Sequence, residues 1–259
     1  MDVRYVARMF GVADRTALVT GSSTGIGLAI AEALGKSGAR VILNARDGQR
    51  CAQAAERLRG DGIDAVAEAF DVRDDQAVSD AFRRLEARGF GVDLLVSNAG
   101  VQDRKPVLDM PLDSWRALQD VHVGGAFHCV RAALPGMLSR GFGRIVLMSS
   151  VAAQAVLPNI AGYATAKGAL AAFARALAVE YGDRGITANA IAPGFVRTDF
   201  TAALQESSDF ADFLARSVPM RRWGTVDEIA PAVVYLCSAA GGFVNGHLLA
   251  IDGGLLARL

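Results

Sequence analysis

The pentapeptide Tyr163-Ala164-Thr165-Ala166-Lys167 sets a phenol and an ammonium four positions apart, a spacing that brings both to one face of a helix. Ser150 stands thirteen residues before the tyrosine, directly after the apolar run Ile145-Val146-Leu147-Met148-Ser149. These side-chain types suit reduction of a carbonyl or oxidation of an alcohol, where a hydride moves and the oxygen gains or loses a proton. A phenol with an ordinary pKa of about 10 exchanges protons poorly at neutral pH. A neighbouring ammonium stabilises the phenolate, so Lys167 is expected to lower the pKa of Tyr163 toward working range. Ser150 is expected to hydrogen-bond the substrate oxygen. Taken singly, the three read as a buried tyrosine, a surface lysine and a serine ending a strand; their coincidence favours the chemical reading.

A second set of residues points to a dinucleotide. Thr20-Gly21-Ser22-Ser23-Thr24-Gly25-Ile26-Gly27 follows an apolar run and opens a helical pattern. Glycines there allow a tight turn and close approach of backbone to phosphate, and a helix N-terminus adds free N–H groups. The plain alternative is an ordinary βα turn. After the second apolar run the chain reads Leu43-Asn44-Ala45-Arg46-Asp47. An NAD site usually offers an acidic group here to the ribose 2′-hydroxyl, whereas a guanidinium suits a 2′-phosphate. Arg46 therefore favours NADP(H), with NAD(H) possible. Asp47 either pairs with Arg46 or caps the following helix.

The elements that must position these groups alternate along the chain. Apolar runs fall at 16–20, 40–44, 65–70, 92–97, 144–149, 187–191 and 247–251, and suit strands buried on both faces. Helical spacing covers 26–36, 49–59, 75–88, 114–139 and 163–181. Such alternation predicts an α/β fold, a single Rossmann-like domain over 1–259 with a doubly wound parallel sheet of about seven strands and helices on both faces. Residues 1–13 read as an N-terminal extension. Residues 195–219 lack clean periodicity and follow a strand, where α/β sheets bind ligands, so this segment is expected to be a substrate lid.

Composition removes several classes. The chain has 259 residues, 27 Lys+Arg against 27 Asp+Glu, so no basic excess favours nucleic acid or an anionic membrane. No apolar stretch is long enough for a membrane span and the N-terminus carries charges that interrupt any secretory signal; a cytoplasmic protein is expected. Cys51, Cys129 and Cys237 are scattered and read as small buried hydrophobes. His122, His128 and His247 form no cluster with ligand spacing, so no metal is expected.

Taken together, the glycine turn, Asn98-Ala99-Gly100, Ser150, Tyr163-x-x-x-Lys167 and Pro193-Gly194, in that order, resemble the short-chain dehydrogenase/reductase family from about Thr16 to Gly254. The resemblance implies that Gly21, Ser23, Thr24, Gly25, Ile26 and Gly27 bind the cofactor. It also implies that Lys167 holds the nicotinamide ribose beside Tyr163, and that Asn98, Ala99 and Gly100 line the cleft. Asp71, followed by Val72, would meet the adenine, although Asp71 reads equally well as a helix N-cap. Pro193, Gly194, Val196 and Thr198 would lie near the nicotinamide carboxamide. One position departs: the family has an asparagine in V-N-l-x-G, where it kinks a helix and holds a water linking the lysine to solvent. Here the stretch is Val121-His122-Val123-Gly124-Gly125, so His122 either serves as a proton relay or packs between helices.

Residues 98–106, Leu112-Asp113-Ser114-Trp115, Arg222-Trp223-Gly224 and 243–247 are similar to the family's gluconate 5-dehydrogenase branch. That branch interconverts gluconate and 5-ketogluconate, which implies a small-molecule sugar acid or polyol as substrate. Arg104, Lys105 and Arg197 are candidates to meet its carboxylate. A 3-oxoacyl-thioester reductase shares the same catalytic residues and is the rival; a weakly catalytic cofactor sensor is a reading of another class, which only His122 favours. The family commonly forms homotetramers, and the apolar tail 244–259 is read as a subunit contact or as packing within its own subunit.

Overall fold

The computed structural model describes residues 2–258. Seven strands make one sheet: β1 (Thr16–Val19), β2 (Arg40–Leu43), β3 (Ala65–Ala67), β4 (Leu94–Ser97), β5 (Gly143–Met148), β6 (Ile186–Pro193) and β7 (Leu248–Ile251). Their order is β3-β2-β1-β4-β5-β6-β7 and every pairing is parallel. Every residue of β1, β4 and β6 is buried, which is why these strands read as continuous apolar runs rather than alternating ones. After β3 at one edge the chain returns to lay β4 beside β1. Neighbouring connections diverge there and open a crevice at the carboxyl ends of the strands.

Ten helices flank the sheet among the described residues: α1 (Val3–Phe10), α2 (Gly25–Lys36), α3 (Gly48–Gly60), α4 (Asp75–Ala87), α5 (Leu112–Gln119), α6 (Gly125–Arg140), α7 (Ala161–Tyr181), α8 (Ala202–Gln205), α9 (Ser208–Ser217) and α10 (Val226–Cys237). One core layer packs α2, α3 and α10 on the sheet through Ile30, Leu34, Leu58 and Val233. The other packs α4, α6 and α7 through Val78, Leu85, Met137 and Leu177. Burying both faces is the main stabilising term, at roughly 25 cal/mol per Å² of apolar surface.

Three expectations need correction. The single helix expected over 114–139 is interrupted: α5 runs into a π-helical turn at Asp120–Gly124, and α6 starts at Gly125. Such a turn inserts an extra residue and occurs frequently at functional sites; the spacing of apolar residues does not reveal it. The extension at 1–13 contains α1, whose N-cap Asp2 accepts from the backbone of Arg4 and Tyr5. The segment 195–219 is not irregular throughout, since α8 and α9 lie within it. Helix α10 escapes a periodicity search because Pro231 sits inside it, yet Thr225 and Glu228 form a capping box at its start.

Asp252 folds the C-terminal tail by accepting from the backbone of Gly254 (2.9 Å) and Leu256 (2.8 Å). Leu248, Leu249 and Ile251 pack against the two cores, so these tail residues serve their own subunit. All three cysteines are buried, and burial pushes Cys129 and Cys237 up to about 12. Among the described residues no helix is long and apolar enough to cross a membrane.

Candidate active site

A cavity of about 800 Å³ opens at the carboxyl ends of β1, β4, β5 and β6. Its cofactor end is built from the turn after β1. Gly21 has φ +61°, and a Cβ there would fall 2.8 Å from Ala99 Cα. A Cβ on Gly27 would fall 2.4 Å from the Gly21 carbonyl oxygen; only glycine lets α2 begin so close to the strand. Asn98 ties the two strand ends together: its amide donates to the carbonyls of Thr20 and Gly21, both at 3.0 Å, and its own backbone N–H donates to Thr20 Oγ1 at 2.9 Å. Ser22 is wholly buried and donates to the Val19 carbonyl at 2.7 Å.

The residues at this end suit a pyrophosphate. Thr24 is the N-cap of α2 yet makes no side-chain cap. The first N–H groups of the helix therefore remain available, with the positive end of its dipole, to an anion. Gly21, Thr24, Gly25, Ile26, Gly27, Asn98 and Gly100 line the cavity, as do Pro193, Gly194, Val196 and Thr198 at the end of β6. Ser23, Arg46, Asp71, Val72 and Ala99 do not; Ala99 is instead held from behind by Thr20 Oγ1 at 3.0 Å.

At the end of β2, Asp47 caps α3 by accepting from Gln49 and Arg50, so it is not engaged with Arg46. Asp71 is not a helix cap; Asp74 caps α4. The Arg73 guanidinium grips the Asp71 carboxylate, with Nη2 to Oδ2 at 2.6 Å. That pairing holds its carboxyl below the usual range, with Arg46 adding a smaller pull in the same direction.

The reactive end lies where β5 meets α7. Ser150 caps a 3-10 turn by accepting from the Ala152 N–H at 3.1 Å. One helical turn separates Tyr163 from Lys167, whose Nζ stands 5.3 Å from the centre of the tyrosine ring. Lys167 is buried and donates to the Met148 carbonyl at 2.6 Å. Ser149 was not singled out by sequence; its hydroxyl donates to the Lys167 carbonyl at 2.7 Å and so locks α7 against β5.

The expected lowering of the tyrosine pKa is not what these surroundings produce. Burial pushes the Tyr163 phenol up; the Ser150 hydroxyl, and more weakly the Arg104 guanidinium, oppose this. Burial also takes Lys167 down to about 7, so near neutrality it carries only part of the charge assumed. Removal from water is the largest cause for each group, and Tyr163 rests as a neutral phenol, the proton-donating form.

His122 enters the same site from the π-helical turn. It is 2% exposed, lies edge-on to the Tyr163 ring at 5.5 Å, and crowds Gly100, where a Cβ would fall 2.5 Å from its Cε1. Burial, and then the Lys167 charge, lower it to about 3. It is therefore neutral at physiological pH, not half-titrated as a free imidazole would be. Nε2 lies 2.8 Å from the Val101 carbonyl oxygen and 3.3 Å from the Val101 N–H, donating to the first or accepting from the second according to its tautomer, while Nδ1 is buried without a partner. His128 stands apart and bonds the Val72 carbonyl. Among the described residues no group of three His, Cys, Asp or Glu could hold a metal.

The substrate end is walled by Ala155, Val156, Leu157, Phe200, Phe213 and Leu255. Phe200 faces the Tyr163 ring at 6.4 Å. The segment carrying it is anchored by Phe195, whose ring meets Phe210 at 5.0 Å, Phe213 at 5.8 Å and Trp223 at 6.2 Å. Of the three basic residues considered for a carboxylate, Arg104 lines the cavity; Lys105 is tied to Asp103 at 2.8 Å and Arg197 lies outside.

Comparison with known proteins agrees with this geometry. Residues 21–256 match a family model described as enoyl-(acyl carrier protein) reductase. The chain is 36% identical over 251 residues to the gluconate 5-dehydrogenase of Gluconobacter oxydans, covering 97% of this chain and 98% of that one. It is 37% identical to the 5-keto-D-gluconate 5-reductase of Escherichia coli K12, with 97% and 99% covered. A crystal structure of a gluconate 5-dehydrogenase from Burkholderia cenocepacia, in complex with NADP and tartrate, superposes with a TM-score of 0.96 at 38% identity, covering 98% of this chain and all of that one. With its parallel seven-stranded sheet, its glycine turn and its serine, tyrosine and lysine in one cavity, this chain belongs to the short-chain dehydrogenase/reductase family.

Proposed function

We propose that the protein is an NADP(H)-preferring oxidoreductase that interconverts a sugar acid and its keto form, of the type gluconate and 5-ketogluconate. What supports this is the convergence of Ser150, Tyr163 and Lys167 in the cavity that begins at the glycine turn, together with full-length relatives named for that substrate and a related structure holding NADP. The nicotinamide cofactor, when bound, supplies or takes the hydride. Gly21, Thr24, Gly25, Ile26 and Gly27 hold its pyrophosphate, Arg46 its 2′-phosphate, and Asp71 and Val72 border its adenine. Lys167 holds the ribose of its nicotinamide half.

Ser150 binds the reacting oxygen and stabilises charge there. Tyr163 donates a proton to that oxygen in reduction and removes it in oxidation. Lys167 assists by its charge, and His122 completes the wall around Tyr163 and Gly100. Arg104 is the group placed to take the carboxylate, by a charge-assisted hydrogen bond. The segment 195–219 covers the substrate. Exposed apolar side chains, Leu108, Phe127 and Val179, support a homotetramer.

The apolar cavity wall favours one second reading, reduction of a 3-oxoacyl thioester. A single assay separates the two: nicotinamide absorbance followed with 5-keto-D-gluconate, D-gluconate and acetoacetyl-CoA. Turnover confined to acetoacetyl-CoA would replace the sugar-acid reading. Tyr163→Phe is expected to abolish turnover while NADPH binding, read by fluorescence, stays within about threefold; wild-type rates in that variant would refute the assigned role. A wild-type protein that binds NADPH but turns over none of the three would be a sensor.

A further inference from the structure

The chain leaving β4 carries two polar side chains to the cavity, Gln102 and Arg104. Arg104 comes near enough to Tyr163 for its charge to act on the phenol. Residues 100–105 belong to no helix or strand, so no ladder of backbone hydrogen bonds fixes them. The Val101 side chain packs on the core beside α4, α6 and α7, and the Asp103 carboxylate is held by Lys105 and Ser114. Among the described residues, the backbone of this stretch has one hydrogen-bonding partner, the His122 ring, through the contacts of Nε2 with the Val101 carbonyl oxygen at 2.8 Å and the Val101 N–H at 3.3 Å.

Either tautomer of His122 makes one of these two bonds. The same ring closes on Gly100, where a Cβ would fall 2.5 Å from Cε1. One side chain therefore presses on Gly100 and bonds the peptide groups of the next residue, and it does so from a turn continuous with α5 and α6. A relay would have to take a proton at one ring nitrogen and release it at the other. Here one nitrogen ends on a peptide group, which does not carry the proton onward, and the other is buried without a partner. These are the contacts of a clamp on the backbone.

We infer that His122 is a positioning residue for substrate recognition: by holding the Val101 peptide groups against the π-helical turn, it sets the direction in which the chain leaves the core and with it the place of Gln102 and Arg104 in the cavity. Selectivity for a polyol that carries an acid group then depends on an imidazole bonded to the backbone. The inference rests on the sugar-acid reading above and on Arg104 as the group that takes the carboxylate.

The test is steady-state reduction of 5-keto-D-gluconate with NADPH by the wild type, His122→Leu, His122→Gln, Arg104→Ala and the pair His122→Leu/Arg104→Ala, with melting midpoints and NADPH titrations for each. Leucine fills much of the space of the ring and bonds nothing; the glutamine amide reaches as far as Nε2 and carries both a donor and an acceptor. His122→Leu is expected to lower kcat/KM about tenfold, chiefly through KM, and His122→Gln to recover most of that loss. Where Arg104 is already alanine, His122→Leu is expected to cost less than about twofold more, because two residues acting through one contact do not add. Should His122→Leu melt below the assay temperature, His122→Met, apolar and more adaptable in packing, takes its place. An unimpaired leucine variant, a loss carried by kcat and equal in the leucine and glutamine variants, NADPH binding weakened as much as KM is raised, or losses that multiply in the double variant would each overturn the inference and leave the sugar-acid reading intact. A wild type that reduces no 5-keto-D-gluconate removes that reading and the inference with it.

Discussion

Tyr163 and Lys167 are dry, and each side chain pays for this in its charged form. A phenol pushed up and an ammonium brought down to about 7 leave the site uncharged enough to receive a substrate carbonyl, with the proton on the tyrosine oxygen. His122 follows the same rule. Its pKa falls from 6.5 to about 3, so between those values the unfolded chain binds more protons than the folded one. Its burial therefore costs no charge at neutral pH, and stability drops as pH falls from 6.5 toward 3. His122→Asn is expected to flatten that acid limb by on the order of a few kcal/mol, measured by urea unfolding between pH 4 and 7. An unchanged slope would mean that the ring is not buried neutral. Arg46→Ala is expected to weaken NADPH binding about tenfold or more and NADH little; equal losses in fluorescence titrations would remove its 2′-phosphate role.

Among the elements, the turn after β1 depends on one amide. Asn98→Ala removes both side-chain donors to the carbonyls of Thr20 and Gly21. The loss is expected to cost about 1–3 kcal/mol of stability. It should raise KM for NADP(H) more than KM for the sugar acid, because the disturbed backbone is the one facing the pyrophosphate. The segment 195–219 has its own anchor in the Phe195, Phe210 and Trp223 rings. Trp223→Ala is expected to raise KM for the carbon substrate severalfold, with NADPH affinity unchanged by titration. The π-helical turn at Asp120–Gly124 is the third such device: without the extra residue it holds, His122 would not sit against Gly100 and Tyr163.

At the scale of the molecule, the sheet order explains why residues as distant as Gly21, Asn98, Ser150 and Pro193 meet: each ends one of four adjacent strands. The outer faces of α6 and α7 leave Phe127 and Val179 exposed, at 47% and 86%. Phe127→Asp is expected to shift the assembly toward smaller species in sedimentation velocity, with an unchanged circular dichroism spectrum. An unshifted sedimentation profile would remove Phe127 from any subunit contact.

Much of this was legible in one dimension. All seven strands, the glycine turn and the serine, tyrosine and lysine set follow from apolar runs and short spacings, because local backbone preference and burial on both faces leave a mark within a few residues. What lay beyond was decided by neighbours far apart in the chain. No spacing shows that Arg73 would take Asp71, that Asp47 would cap α3 and leave Arg46 unengaged, or that the tail would bring Arg258 to the cavity that Arg216 reaches from α9. Nor does a motif reveal that burial would raise Tyr163 and lower Lys167. Which residues could react was already written in their order; their protonation, their partners and their distances depend on how much water the packed chain excludes, and that is a property of the tertiary structure alone.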